Sequence, residues 1–80
     1  PGVAPDASLM TAKVFAATGG TPVSRVTTAI TWCADNGAHA INMSLGGIRY
    51  FTTGLPPESD ASFIAYRDAV EYATTRGVVV

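Results

Sequence analysis

Apolar residues along this chain follow two patterns: continuous runs typical of buried strands, and spaced stripes typical of amphipathic helices. Residues 8–15 (SLMTAKVF) are a near-continuous apolar run with one charge, at Lys13, as expected for a parallel strand covered on both faces. Residues 39–44 (HAINMS) and 78–80 (VVV) are shorter runs. We predict that all three segments are strands.

The segment between the first two predicted strands has the spacing of a helix. Its apolar residues recur every three or four positions, which places them on one helical face. Ser24 is the predicted N-cap. Asn36 and Gly37 end the helix, with glycine as the left-handed residue that follows it. The apolar stripe consists of Val23, Val26, Ile30 and Cys33.

A second helix is predicted before the last strand. Residues 59–60 (SD) supply its N-cap, as Asp60 or Ser59, and Gly77 ends it. Arg67 can pair with Glu71 one turn later, and Arg76 lies at the negative end of the helix dipole. The apolar face consists of Phe63, Tyr66, Ala69, Val70 and Ala73.

The resulting order, β-α-β-α-β, is typical of a parallel sheet with crossover helices. Residues 1–5, 16–21 and 48–59 are predicted loops because glycine, proline and small residues interrupt both patterns. Right-handed crossovers place both helices on one face of the sheet, which leaves the other face bare. The chain also starts without Met and stops inside a predicted strand. We expect a domain piece cut at both ends, or a chain that associates with itself.

Charge and hydropathy argue against two classes of function. Five basic and six acidic residues give a formal net charge of -1, and no Lys/Arg cluster indicates nucleic-acid binding. The apolar runs are far shorter than the roughly 20 residues that a membrane span needs. The loop at residues 16–21 has two adjacent glycines but no phosphate-binding glycine motif.

The residues available for catalysis are few. The single histidine, His39, precedes the second predicted strand, whereas a Ser-His-Asp triad needs histidine at the opposite end of the sheet. We interpret His39 as a structural residue at the strand start. No serine lies in a G-x-S-x-G turn, and the six acidic residues lack metal-ligand spacing. Cys33, on the apolar stripe, is interpreted as a small core residue.

Two loops remain as candidate ligand-binding features. Ligands of α/β sheets bind beyond the carboxyl ends of the strands, which here are residues 15–20 and 44–47. Both loops are rich in small residues, so an extended peptide could pair with their backbone. Composition alone gives equal weight to the alternative that they are only tight turns.

Three stretches resemble the subtilisin-like serine proteases of peptidase family S8. Residues 2–5 (GVAP), followed by 13–15 (KVF), resemble the GVAP…KV(L/F) stretch of that family. Residues 41–47 (INMSLGG) match almost letter for letter, and 77–80 (GVVV) resembles the strand after the next helix. The order and separation agree over nearly the whole chain. The resemblance implies that residues 1–80 are part of the α/β catalytic domain, a parallel-sheet βαβαβ piece with three strands and two helices of its three-layer fold.

The resemblance also implies roles for single residues. The segment matching 44–46 pairs with the substrate backbone, Gly46 and Gly47 line a wall of the primary specificity pocket, and the segment matching 18–20 forms the opposing edge. Phe15 borders a pocket further along the substrate, and Asn42 is an interior polar residue that supports the site. The implied substrate-binding residues are Phe15, Thr18, Gly19, Gly20, Ser44, Leu45, Gly46 and Gly47.

The aspartate, histidine and serine motifs of the family match no position in this sequence. The resemblance therefore implies an extracellular serine endopeptidase as parent, and a chain that is inactive alone. Its partners would be a peptide or protein substrate, the remainder of the catalytic domain, and further copies of itself. No cofactor is expected here, although the parent could hold calcium elsewhere. Residues 48–59, with Tyr50 and Phe51, are longer than the link in many relatives, and could extend the cleft or be surface packing.

Two other readings stay open. A small stand-alone ligand-binding α/β module explains the order of elements but not the bare sheet face or the matched stretches. A self-associating structural piece explains the bare face, and it is compatible with the protease reading.

Overall fold

A computed structural model of the chain describes residues 2–17, 19–46 and 61–80. Within these ranges two helices, α1 (Val23–Asp35) and α2 (Ala61–Thr74), pack against each other. Extended segments lie on both sides of α1 in the sequence. No helix in the described part is long and apolar enough to cross a membrane.

Helix α1 begins two residues earlier than predicted, at Val23. Its N-cap is Pro22, with φ -71° and ψ 152° and no side-chain cap hydrogen bond, so the prediction of Ser24 as N-cap is wrong. Proline already fixes φ in the range that the first turn needs, and the chain turns from extended to helical at this residue. Ser24 lies inside the first turn, where its carbonyl accepts a 3.1 Å hydrogen bond from the Thr27 hydroxyl.

The C-terminus of α1 is the predicted glycine cap. Gly37 has φ +90°, which is strained for any residue with a side chain. The Ala38 amide donates to the Cys33 carbonyl at 3.0 Å, and the Gly37 amide donates to the Ala34 carbonyl at 3.3 Å. This pair of bonds is the Schellman arrangement, which satisfies carbonyls left without partners at the helix end.

Helix α2 ends in the same way. Gly77 has φ +83°, and the Val78 amide donates to the Ala73 carbonyl at 3.1 Å. The predicted N-cap at residues 59–60 lies outside the described residues. The guanidinium of Arg67 pairs with the adjacent Asp68, at 3.3 Å, rather than with Glu71 as predicted. Both side chains of this pair are exposed, so it contributes little to stability.

The core lies between the two helices. Val26 and Ile30 of α1 are each 2% exposed, and they pack against small residues of α2 and against the valine that follows it. Alanine at the α2 contact positions lets the helices approach closely. The buried cluster consists of Val26, Ile30, Ala69, Ala73 and Val78. Cys33 is also buried and has a free thiol, as predicted for a core residue.

The extended segments cover one side of this core. Val14, Ile41 and Met43 are half-buried against the cluster, whereas the residues that alternate with them, among residues 13–15 and 42–44, are exposed. Such alternation is the burial pattern of a sheet with one covered face. The expectation that residues 8–15 would be covered on both faces is therefore wrong for the described part of the chain, where residues 8–11, 13 and 15 are exposed.

Pairing between the extended segments is limited. Ala40 and Val79 form a parallel bridge, in which the Ile41 amide donates to the Val79 carbonyl at 2.7 Å and the Val79 amide to the His39 carbonyl at 3.0 Å. The described ranges contain one other bridge, the antiparallel one between Ala16 and Gly19. Neither bridge extends into a ladder of several residue pairs. The prediction of three strands is not confirmed.

Candidate functional site

The first candidate edge, residues 15–20, is a tight turn after the first extended segment. The Gly19 amide donates to the Ala16 carbonyl at 3.1 Å, and Gly19 has φ +102°. That conformation favours glycine, so the turn depends on this residue. Phe15, just before the turn, is 42% exposed. Thr18 lies outside the described residues.

The second candidate edge, residues 44–46, leaves the second extended segment with little side-chain bulk. A Cβ atom added at Gly46 would meet nothing within 4 Å, and the same holds at Gly20 in the first edge. Leu45 is 37% exposed. The backbone beside these residues is therefore open to a ligand. Gly47 lies outside the described residues.

Asn42 does not take the interior position that the resemblance implied. It is exposed, and its side-chain amide donates a 3.0 Å hydrogen bond to the hydroxyl of Ser44. Because Asn42 alternates with the half-buried Ile41 and Met43, it lies on the face that the helices do not cover. The bond to Ser44 orients a side chain within the second edge.

The two edges are connected through the core. Val14, before the first edge, and Met43, before the second, both pack against the cluster between the helices. Helix α1 also contacts the first segment directly, because the Arg25 guanidinium donates to the Val14 carbonyl at 3.5 Å. In the part of the chain that the structure describes, no hydrogen bond joins one edge to the other. The described residues of each edge are thus ordered, without a hydrogen bond that would join them into a closed cleft.

His39 lies at the far end of the second extended segment. Its carbonyl accepts the bond from Val79, its side chain is exposed, and within the described ranges its imidazole has no hydrogen-bond partner. His39 and Ser44 are five positions apart, which is about 16 Å along an extended chain. The imidazole is therefore too far along the segment to act on a ligand bound at residues 44–46.

One polar cluster was not anticipated from the sequence. The Tyr72 hydroxyl of α2 donates to the Asp35 carboxylate at the end of α1 at 2.5 Å, and this bond raises the pKa of Tyr72. The Arg76 guanidinium lies 3.4 Å from the centre of the Tyr72 ring and donates to the Tyr72 carbonyl at 3.0 Å. We call Asp35, Tyr72 and Arg76 the helix clasp. Asp35 and Tyr72 are 37 positions apart, so no local pattern could have paired them.

Candidate metal ligands are dispersed in the described part of the chain. Among those residues, no group of three or more His, Cys, Asp or Glu side chains could hold a metal ion.

Comparison with known proteins gives one consistent result. The profile of the subtilase family, peptidase S8, matches residues 1–80. The chain is 38% identical over 79 residues to the alkaline protease of Alkalihalobacillus alcalophilus and to Subtilisin Savinase of Lederbergia lenta. It is equally similar to Subtilisin E of Bacillus subtilis. These alignments cover 99% of this chain but 18%, 25% and 18% of the three relatives, so the chain spans a quarter of their length or less. No solved structure gives a significant match.

Proposed function

Because the chain belongs to the subtilase family, we propose that it forms part of the peptide-binding cleft of a secreted subtilisin-like serine endopeptidase. In this proposal an extended substrate lies between residues 15–20 and residues 44–47, on the acyl side of the scissile bond. The catalytic groups come from the rest of the catalytic domain, and the chain by itself does not hydrolyse peptides.

The open space beside Gly46 is the observation that carries this proposal. A Cβ atom there would meet nothing within 4 Å, so neither the fold nor packing requires glycine at that position. The φ of Gly46 is not among the positive values, so backbone strain does not require glycine either. A ligand side chain that occupies the space beside Gly46 would explain why glycine stands at that position.

The backbone of the second edge has the groups that peptide recognition needs. Within the described ranges, the main-chain N–H and C=O groups of residues 44–46 have no hydrogen-bond partner. Free main-chain groups on an extended segment can pair with a peptide added as a further strand. Leu45, 37% exposed, offers an apolar contact to one side chain of that peptide.

Inactivity of the isolated chain follows from the position of its single histidine. A serine protease with a Ser-His-Asp triad needs an imidazole within hydrogen-bond reach of its nucleophile. The sequence has one histidine, His39, and about 16 Å of extended chain separates it from Ser44 at the proposed binding edge. No second side chain in the sequence can replace it in the role that imidazole has in this family.

Peptide binding and turnover can be tested on the same samples. A dye-labelled peptide with a phenylalanine should bind the chain, with an increase in fluorescence anisotropy. Gly46→Val should weaken binding about tenfold, because valine fills the open space and costs about 1.4 kcal/mol of binding free energy. Ala4→Val, which places the same valine side chain at an exposed loop residue, should leave binding unchanged.

Two outcomes contradict the proposal. Equal binding by the wild type and Gly46→Val excludes a pocket beside Gly46. Release of nitroaniline from a peptide anilide by the purified chain, abolished in His39→Ala, excludes the claim of inactivity. We expect no release from either protein.

Self-association in the isolated chain is also proposed, on the evidence of the face opposite the helices. Val79 is 69% exposed beside the buried Val78, and Phe15 is 42% exposed beside the half-buried Val14. Exposed apolar residues on extended segments are candidates for burial against a partner. A second copy of the chain can cover them, since the same residues are exposed on that copy.

A further inference from the structure

The two helices lead into the parallel bridge through exits of equal length. Asp35, the last residue of α1, lies five positions before Ala40. Thr74, the last residue of α2, likewise lies five positions before Val79. Each exit turns at a glycine with positive φ, and the amide after that glycine donates back to a carbonyl of its own helix. Because the exits match, the register of the bridge depends on how the ends of α1 and α2 are aligned.

The apolar contact between the helices fixes this alignment only weakly. Val26 and Ile30 of α1 pack in one cluster with Ala69 and Ala73 of α2. Alanine presents a single methyl group, so α2 offers shallow ridges against sliding along α1. A slide by one helical residue moves a helix end by about 1.5 Å. That is about half of the ~3.3 Å spacing between residues of an extended segment, enough to disturb the bridge.

The helix clasp is a directional contact at the ends of the helices. Asp35 ends α1, where the negative end of the helix dipole disfavours an acidic side chain. The Tyr72 hydroxyl donates to its carboxylate at 2.5 Å and offsets that unfavourable position. Arg76 holds the ring, because its guanidinium lies 3.4 Å from the ring centre and donates to the Tyr72 carbonyl at 3.0 Å. With the ring held, the hydroxyl meets Asp35 at one alignment of the two helices.

We propose that the helix clasp is a positioning device, in which the bond from Tyr72 to Asp35 holds the ends of α1 and α2 level and so fixes the register of the parallel bridge. The second extended segment continues from Ala40 to residues 44–46, so the same contact sets where that segment leaves the helices. The effect on the bridge needs no ligand. An effect on peptide binding at residues 44–46 rests in addition on the proposed function.

The donor and acceptor groups of the clasp separate this role from ordinary packing. The bond to Asp35 raises the pKa of Tyr72, so the clasp is intact at neutral pH and is lost as pH rises through the raised pKa. Above that pH neither oxygen carries a proton, and the phenolate and the carboxylate repel each other. Asp35→Asn should keep the clasp at both pH values, because an amide accepts a bond from the phenol and donates one to the phenolate.

Other charged groups near the Tyr72 ring are already paired within the described part of the chain. Arg76 lies on the ring, and its positive charge opposes the rise in the pKa of Tyr72. Asp68, one turn earlier on α2, lines the same groove between the helices and is paired with Arg67. Threonines, which do not titrate, line that groove from α1. The clasp therefore responds to the ionisation of Tyr72 opposite Asp35.

Amide hydrogen exchange at neutral pH measures the bridge directly. The bridge amides are those of Ile41 and Val79, whereas the Ala38 and Val78 amides close the two helix ends. Tyr72→Phe should speed exchange of the bridge amides about fivefold relative to the cap amides, because loss of one hydrogen bond loosens the alignment and leaves each cap intact. A general loss of stability would instead speed all four amides by the same factor.

Four further variants complete this test. Tyr66→Phe removes the same hydroxyl elsewhere on α2 and should leave the ratio of exchange rates unchanged. Asp35→Asn should also keep the wild-type ratio. Asp35→Ala should match Tyr72→Phe, and the double variant should exchange no faster than either, because both substitutions remove one contact. Asp35 is exposed, so its substitution does not disturb the core, and far-UV circular dichroism checks that the helices are retained.

The pH dependence is followed at the carbonyl carbon of Val79, which accepts the bond from Ile41 and needs no amide proton for detection. In the wild type its chemical shift should change with the same midpoint as the Tyr72 phenol. In Asp35→Asn it should stay constant while the phenol titrates.

Four results overturn the proposal. They are equal acceleration of bridge and cap amides in Tyr72→Phe, no acceleration in that variant, exchange in Asp35→Asn as fast as in Tyr72→Phe, and a Val79 carbonyl that titrates in Asp35→Asn as in the wild type. All of these measurements are made without peptide. Failure of a peptide to bind at residues 44–46 would therefore contradict the proposed function and not the positioning role of the clasp.

Discussion

Replacing Ile30 with alanine tests the description of the core. Ile30, on α1, is 2% exposed and belongs to the buried cluster that α1 forms with α2 and Val78. Truncating a buried isoleucine to alanine costs about 2–5 kcal/mol, through lost transfer free energy and the cavity left behind. A chain of this length has a total stability of about 4–12 kcal/mol, and a bare sheet face places this one near the lower end. Ile30→Ala should therefore be largely unfolded at room temperature.

Urea denaturation followed by the helical circular dichroism signal measures this effect. Ile30→Val removes one methylene and should cost about 0.5–1.5 kcal/mol, so it provides a graded result for a chain that still folds. Leu9→Ala is the matched control, since Leu9 is 95% exposed and its truncation should change stability by less than about 0.5 kcal/mol. If Ile30→Val and Leu9→Ala lower the free energy of unfolding equally, the core does not lie where the structure places it.

Three other results are expected. Gly37→Ala should lower the free energy of unfolding, measured by urea denaturation, by about 1–2 kcal/mol, because Gly37 has φ +90°. Gly46→Ala should leave that free energy unchanged, since a Cβ atom there meets nothing within 4 Å. Equal losses in the two variants would contradict this prediction. Because the bond to Asp35 raises the pKa of Tyr72, the helix clasp is intact below the ordinary tyrosine pKa of about 10 and is lost as pH rises through the raised value. A tyrosinate absorbance titration should show a late-titrating phenol that Tyr72→Phe removes, and an unchanged curve contradicts it. Sedimentation velocity should show an oligomer that Val79→Lys converts to monomer, and a stable wild-type monomer excludes self-association.

The helices could be predicted from sequence because their signals are local. The three- and four-residue spacing of Val26, Ile30 and Cys33 places them on one face, and the structure buries all three. The glycine caps follow from the φ that only glycine adopts easily. The start of α1 was missed because serine is a strong capping residue in general, yet Pro22, two residues before Ser24, already has the φ that a helix needs.

The sheet and the site depended on contacts that local patterns do not encode. Residues 8–15 are apolar enough for burial on two faces, but only the neighbours decide whether both are covered. Strand pairing needs a second segment in register, and within the described ranges a single parallel bridge joins Ala40 to Val79. For the same reason the clasp between Asp35 and Tyr72 could not be found. The proposed edges were singled out because they follow the carboxyl ends of predicted strands, but only the family resemblance favoured peptide binding over simple turns, since backbone that binds a peptide leaves no distinctive side chain.

The central claim is that these residues hold an extended peptide between two backbone edges without cleaving it. The most direct test is an amide chemical-shift titration of the isotopically labelled chain with an unlabelled peptide that contains phenylalanine. We predict shifts concentrated at residues 15–20 and 44–46, with the peptide recovered intact. Shifts confined to the outer surfaces of α1 and α2, or a peptide cut during the titration, would contradict the account.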